Sequence, residues 1–265
     1  MIGWNDPETA AYYEAFCRRH SRYARANAAL IAHARIGPGM RLLDFAAGTG
    51  RTAEAALRRL GDGGSVLCVE PFSAMRAEGM RRITDSRVQW STSLPEASES
   101  FDRILCGAAI WQMDSLGETF TTLAALVRRG GALCFNIPAV YLLEPEEPGG
   151  GSDPWLLSLP AMLAASSEHA SAPDPSDHAT SSPLSGDAVK TWLNAAGLSP
   201  ESWSFRVRVT QDAYADWLKI PVLTNRLLGL PIPYARARQI DAALSAVDRS
   251  SWKWERWRGW TAWKL

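Results

Sequence analysis

Asp44, Gly48, Gly50 and Glu70 are the residues whose types and spacing could do chemistry in this chain. Arg41-Leu42-Leu43-Asp44-Phe45 reads as a short apolar strand running into the turn Ala46-Ala47-Gly48-Thr49-Gly50, and a helix opens at Arg51. A turn of such small residues lets backbone come within contact of a ligand, because bulky side chains would hold it off. Twenty residues beyond Gly50 a second apolar run, Ser65 to Val69, ends in Glu70. This is the layout of a nucleoside site in a doubly wound sheet, with a ribose-binding carboxylate at the tip of strand two. A dinucleotide turn, G-x-G-x-x-G, seats a pyrophosphate on a helix N-terminus. Asp44 instead puts a carboxylate near the turn, which repels phosphate and can pair with an ammonium group. The implied ligand is a nucleoside with a positive charge and no phosphate, and S-adenosylmethionine fits that description.

With these residues in place, the sequence resembles the class I S-adenosylmethionine-dependent methyltransferases. Their first motif is similar to D-x-G-x-G-x-G, matched by Asp44, Gly48 and Gly50, with Ala46 in place of the first glycine. Val69-Glu70-Pro71-Phe72-Ser73-Ala74-Met75 resembles the second motif, and Ser100 to Leu105 the start of strand four. Leu126 to Leu133 is similar to the family's turn before strand five, with Arg129 where a proline is usual. The resemblance covers roughly residues 35 to 140 and is silent on the methyl acceptor. It implies an α/β fold: a doubly wound, Rossmann-like, seven-stranded sheet with helices on both faces and an antiparallel hairpin of strands six and seven at its edge. It also implies that Asp44, Ala46, Gly48, Thr49 and Gly50 form the cofactor turn and that Glu70 holds the ribose hydroxyls. Pro71 and Met75 would flank the adenine. The family's usual acid near the adenine amine is missing, which leaves Ser91 and Thr92 for that task. Trp111, after strand four, stands where the family contacts the methionine end or the acceptor.

The elements that must position these residues divide the chain into four parts. Residues 1–35 read as an N-terminal helical cap and 36–140 as the cofactor-binding core; 141–183 form a lid insertion and 184–265 the rest of the core, with a helical insertion at 211–250. Alternating strands and helices up to Ala139 predict a parallel sheet covered on both faces. Pro145 to Ser182 is rich in Pro, Gly, Ser and Asp, with a short helix predicted at Trp155 to Glu168. Ligands of open α/β sheets bind beyond the carboxyl ends of the strands, so this insertion is expected to close over the site. A helix from Ser185 to Ala196 ends at Gly197, and Trp203 to Val209 alternates as a half-exposed strand. Helices are predicted at Asp212–Leu218, Leu223–Leu228 and Tyr234–Val247, and a last strand at Trp254 to Trp263.

Charge is balanced, 28 basic against 28 acidic residues, so no basic surface argues for nucleic acid. No Lys or Arg occurs between Gly131 and Val189, and the acids there form either a solvated surface or a guide for a cationic acceptor. The four cysteines lack C-x-x-C pairing and the four histidines lack metal-ligand spacing, so neither metal nor disulfide is expected. No signal peptide or membrane-spanning run is visible; the expectation is a cytoplasmic monomer or homodimer with a small-molecule substrate. Methyl transfer needs no protein nucleophile; His20, Tyr23 and Trp111 are the candidates for a catalytic role. Tyr12, Tyr13, Tyr23, Tyr141, Trp155, Tyr214 and Trp217 are expected to converge into an aromatic acceptor pocket. Two other readings stay open: a sulfonium-binding protein that cyclises or decarboxylates, and a non-catalytic subunit of a methyltransferase.

Overall fold

The computed structural model describes residues 3–96, 100–142, 184–223 and 252–265. Two helices, α1 (Pro7–Arg19) and α2 (Arg22–Ala34), precede the sheet. Asp6 caps α1 by accepting from the Glu8 N–H, and Pro7 occupies the first turn, where its missing donor is no loss. The core then alternates: β1 (Arg41–Phe45), α3 (Arg51–Leu60), β2 (Ser65–Val69), α4 (Ser73–Arg82), β3 (Val88–Ser91), β4 (Phe101–Gly107), α5 (Leu116–Leu126) and β5 (Val127–Pro138). After the undescribed 143–183 come α6 (Gly186–Ala195), β6 (Ser199–Thr210), α7 (Gln211–Leu218) and β7 (Trp252–Trp263). The expected lid lies almost wholly outside the described residues, as do the helices predicted at Tyr234–Val247 and across most of Leu223–Leu228.

The sheet has seven strands in the order β3-β2-β1-β4-β5-β7-β6. The five N-terminal strands pair in parallel, and β7 lies antiparallel between β5 and β6. Order reverses between β1 and β4, so a crevice opens beyond their carboxyl ends. Successive residues of each central strand point to opposite faces, and both faces are covered. Leu43, Ile104, Leu133 and Phe135 pack with Phe120 and Leu123 of α5 and Val189 and Leu193 of α6. Leu42, Leu105 and Cys134 pack with Leu30 of α2 and Ala53, Ala56 and Leu60 of α3. Cys68, Cys106 and Cys134 are buried free thiols that fill space as small apolar side chains.

A third apolar cluster sits above one end of the sheet, where Phe16 of α1, Val207 of β6, Trp217 of α7 and Trp257 of β7 meet. The C-terminal tryptophans are dispersed along β7: Trp260 stacks on Phe135 at 5.2 Å, Trp257 closes this cluster, and Trp252 and Trp254 are exposed. The turn expected before β5 is instead part of an extended strand. Its pairing with β4 shifts register between Phe101 and Arg103, and Gly130 takes φ 71° there. Among the described residues no helix is long and apolar enough to cross a membrane, and no group of His, Cys, Asp or Glu could hold a metal ion.

Candidate functional site

A cavity of about 300 Å³ opens where β1, β2, β4 and β5 end. One wall is built from short, contiguous pieces of chain. Ala46, Gly48 and Gly50 all have positive φ (54°, 57° and 75°), folding the backbone back on itself between β1 and α3. At Gly50, with φ 75°, a side chain would be strained, and its Cβ would also press on Ile83 Cδ1 at 2.6 Å and the Trp90 ring at 3.0 Å. Ala46, Ala47 and Gly48 line the cavity, followed by Glu70, Pro71, Phe72 and Met75.

Glu70 is buried, and its two oxygens accept from the Gly48 N–H at 2.7 Å and the Phe72 N–H at 2.9 Å. Burial raises its carboxyl pKa, against the pull of those two N–H groups. Asp44, expected to face a ligand ammonium, is turned behind the turn and does not line the cavity. The N–H groups of the first turn of α3 need acceptors, and Asp44 Oδ2 takes that of Ala53 at 3.0 Å. Its Oδ1 has no hydrogen-bond partner among the described residues. Burial pushes the Asp44 carboxyl up to about 8.

Thr49 and Gly50 also lie off the cavity wall. The Thr49 hydroxyl donates to Glu14 Oε2 at 3.1 Å, clasping α1 to the turn, and Arg51 adds an ion pair with Glu14. Ser91 and Thr92 are outside the wall as well. The Ser91 hydroxyl donates to the Ser93 carbonyl at 2.7 Å, a local turn that occupies it, and Thr92 is exposed.

The rest of the lining is gathered from distant segments. Trp111 and Tyr141 stack with ring centroids 3.7 Å apart, and the Trp111 indole donates to the Ala108 carbonyl at 3.0 Å. Tyr13 and Tyr23 lie 5.5 Å apart, and the Tyr23 hydroxyl accepts from Trp217 Nε1 at 2.9 Å. These five of the expected aromatics line the cavity. Tyr12 and Tyr214 do not: Tyr12 packs into the cluster around Phe16, and Tyr214 stacks on Trp217 at 6.0 Å. Trp155 lies outside the described residues.

His20 does not line the cavity either. It sits at the corner between α1 and α2, where its Nε2 meets Asp216 Oδ2 at 2.8 Å beside Arg19 and Lys219. That placement removes it as a base for cavity chemistry. Burial raises the Tyr23 hydroxyl pKa, which keeps that group protonated and so unable to serve as a base.

Several wall residues carry no local sequence signal. Trp4 lines the cavity and donates to Gln112 Oε1 at 3.0 Å, while Asn5 caps α4 by accepting from the Ser73 N–H at 2.8 Å. The N-terminal segment thus spans the cavity mouth from α4 to the post-β4 turn. Asn136 accepts from the Ala108 N–H at 2.9 Å and donates to the Ala26 carbonyl at 2.9 Å, binding that turn to β5 and α2. Gly107 is confined there, since a Cβ would lie 2.5 Å from Thr52 Oγ1 and 2.9 Å from Asn27 Oδ1. Arg22 lines the cavity while almost wholly buried.

Comparison with known proteins adds to this geometry. Residues 43–135 match the family described as Methyltransferase domain. The ubiquinone/menaquinone biosynthesis C-methyltransferase UbiE of Bordetella parapertussis is 31% identical over 109 residues, covering 39% of this chain and 42% of that protein. The chain therefore spans less than half the length of this curated relative. The YcgJ protein from Bacillus subtilis has a similar structure, with TM-score 0.57, 17% identity, and coverage of 91% of this chain and 99% of that one. So does the [4+2]-cyclase SpnF, with TM-score 0.52, 16% identity, and coverage of 90% and 80%. The last two share the fold.

Proposed function

We propose that the chain is a class I S-adenosylmethionine-dependent methyltransferase, as the match of residues 43–135 to a methyltransferase domain and the similarity to the Bordetella enzyme support, and that it methylates a small, apolar or aromatic metabolite. One observation carries this reading: the buried Glu70 carboxylate and the Trp111–Tyr141 stack line the same cavity. The donor set suits a cationic nucleoside. Glu70 stands at the tip of β2, where a carboxylate reaches a ribose diol, and the positive-φ turn brings bare backbone to the same edge. Pro71, Phe72 and Met75 supply an apolar slot for an adenine, and Asp44 holds the turn in shape from behind through Ala53. We assign Ala46 and Gly48 to ligand contact and Thr49 and Gly50 to the shape of the turn. Ser91 and Thr92, if they serve the adenine, do so through backbone groups.

S-adenosylmethionine, when bound, supplies a methyl group activated on a positively charged sulfur. The chain's own task is then to align and to dry. Trp111, Tyr141, Tyr13, Tyr23 and Trp217 hold a flat acceptor in line with the methyl group, which is where positioned reactions gain most of their rate. They also exclude water, and an apolar wall favours a step in which charge is lost. The name of the Bordetella relative favours carbon over oxygen or nitrogen as the methylated atom. The division into cap (1–35), core (36–140), lid (141–183) and helical insertion (211–250) belongs to the same reading, as do a cytoplasmic monomer or homodimer and a substrate other than nucleic acid.

The fold also serves a cyclase, so methyl transfer itself needs a direct test. Calorimetry with S-adenosylhomocysteine should show one site per chain. Incubation with methyl-labelled cofactor and a quinol or phenol panel should yield a product heavier by one methyl group. Cofactor binding with no label transferred to any acceptor would leave the cyclising reading in its place.

A further inference from the structure

Residues 3–6, ahead of α1, are fastened to the core by hydrogen bonds at two points. At one, Asn5 Oδ1 accepts from the Ser73 N–H at 2.8 Å, the Ser73 hydroxyl at 2.7 Å and the Ala74 N–H at 3.4 Å. The N-cap position of α4 is Phe72, which offers no side-chain acceptor, so Asn5 supplies the cap from 68 residues before Ser73. At the other, Trp4 Nε1 donates to Gln112 Oε1 at 3.0 Å, on the turn after β4. The Trp4 ring meets Tyr13 of α1 edge-on at 5.9 Å. Trp4 lines the cavity yet is only half-buried, so it stands at the boundary between cavity and solvent.

Two demands on the cavity conflict. Loss of charge in methyl transfer favours a wall that excludes water, whereas the spent cofactor has to leave and a fresh one enter in every cycle. A piece of the rim therefore has to move, and movable pieces are those held by few buried contacts. Most of the lining is carried by strand ends and packed helices. The N-terminal segment is held more lightly: Asn5 is exposed, nothing lies within 4 Å of where a Gly3 Cβ would stand, and both fastenings join neutral groups. A neutral hydrogen bond shifts an equilibrium by between about twofold and tenfold. Bonds of that strength hold a segment shut and still let it open often.

We propose that residues 3–6 form a strap over the cavity, continuous with α1 at Pro7 and fastened by Asn5 and Trp4, and that the cofactor enters and leaves beneath Trp4. This rests on the reading of the cavity as an S-adenosylmethionine site. One fastening, Ser73, follows Phe72 of the slot given to the adenine; the other, Gln112, follows Trp111 of the aromatic lining. The strap thus ties the cofactor's part of the cavity to the acceptor's. Both fastenings are made within the chain and not to the ligand. Weakening one therefore changes how fast a ligand passes, in both directions alike, and leaves its affinity in place.

The test is stopped-flow binding of S-adenosylhomocysteine to the full-length protein, read by tryptophan fluorescence. Trp4→Phe keeps a ring against Tyr13 and removes the N–H donor. Its association and dissociation rates should both rise about fivefold, with Kd within about twofold of the wild type. Asn5→Asp keeps the accepting oxygen and sets a negative charge on the N-terminus of α4, which strengthens that fastening. Both of its rates should fall about threefold, again with Kd nearly unchanged. A dissociation rate that rises alone in Trp4→Phe, with affinity weakened in proportion, makes Trp4 a ligand contact and overturns the strap. Wild-type rates in both variants overturn it as well. Failure of the cofactor reading looks different, since the wild type would then bind no S-adenosylhomocysteine, and the strap would fall with it.

Discussion

The two walls of the cavity are made in different ways. The wall assigned to the cofactor comes from two short stretches, 46–48 and 70–75, shaped by their own backbone geometry and joined by the bond from the Gly48 N–H to Glu70. The wall assigned to the acceptor is assembled across the whole chain. Trp4 bonds to Gln112, 108 residues on; Trp217 bonds to Tyr23 across 194; Arg22 pairs with Glu255 across 233. A wall of backbone and one carboxylate suits a ligand that does not change. A wall of side chains on separate elements can be altered piece by piece, and that is where members of one fold diverge in function. Substitutions should therefore separate the two walls cleanly.

The largest effect is expected at Glu70. Glu70→Ala removes a buried carboxylate and leaves the N–H groups of Gly48 and Phe72 unpaired. Hydrogen bonds to charged groups contribute about 1.5–3 kcal/mol each, so S-adenosylhomocysteine affinity should fall by about a hundredfold or more in calorimetry. Unchanged affinity would show that the cofactor wall has been misread.

The next is a pH effect at Asp44. Its folded pKa, about 8, lies above the ordinary carboxylate value, so the folded protein holds a proton there that the unfolded chain has released. Stability from this group is complete below about pH 4 and declines as pH rises towards 8, by on the order of a few kcal/mol. Asp44→Asn keeps an acceptor for the Ala53 N–H and cannot ionise. Its melting temperature should therefore gain on the wild type as pH is raised from 5 to 8. Parallel curves for the two proteins across that range would mean that Asp44 is ionised throughout, facing a cation after all.

How legible each wall was in the sequence follows from the same contrast. Asp44, Gly48, Gly50 and Glu70 could be placed because a strand, a tight turn and a helix follow one another locally, and the parallel sheet with its antiparallel edge came with them. Even there, Asp44 was expected to face the ligand, since spacing does not say which way a carboxylate turns once helix N–H groups compete for it. Arg22, Trp4, Asn27 and Gln112 gave no signal, because their neighbours in the wall are set only by tertiary packing. Tyr214 and His20 sit on segments that do reach the cavity's surroundings, but the sequence does not say which way each side chain faces. Tyr214 lies behind Trp217 and His20 is taken up by Asp216, which depends on which face of α7 meets α1.

On the acceptor side, Trp111→Ala removes a ring stacked 3.7 Å from Tyr141. An aromatic pair adds about 0.5–1.5 kcal/mol beyond its area, so KM for the acceptor should rise about tenfold. Cofactor affinity should change less than about threefold. A comparable loss in both would place Trp111 on the cofactor and blur the division between the walls.

The smallest effect, and the sharpest test of a backbone-built wall, is at Ala46. This residue stands where the family's first motif has glycine, and it holds φ 54°, a region that L-residues other than glycine enter at about 1–2 kcal/mol. Ala46→Gly relieves that strain but frees the unfolded chain, which costs about 0.4–1 kcal/mol. The two nearly cancel, so thermal denaturation should show a shift of only a degree or two, towards higher temperature. If the turn serves the ligand through its backbone path, S-adenosylhomocysteine affinity should stay within about twofold, since that path is kept and only a methyl group leaves the wall. A tenfold loss would mean that the Ala46 methyl itself packs on the ligand, and that this wall too reads its occupant through a side chain.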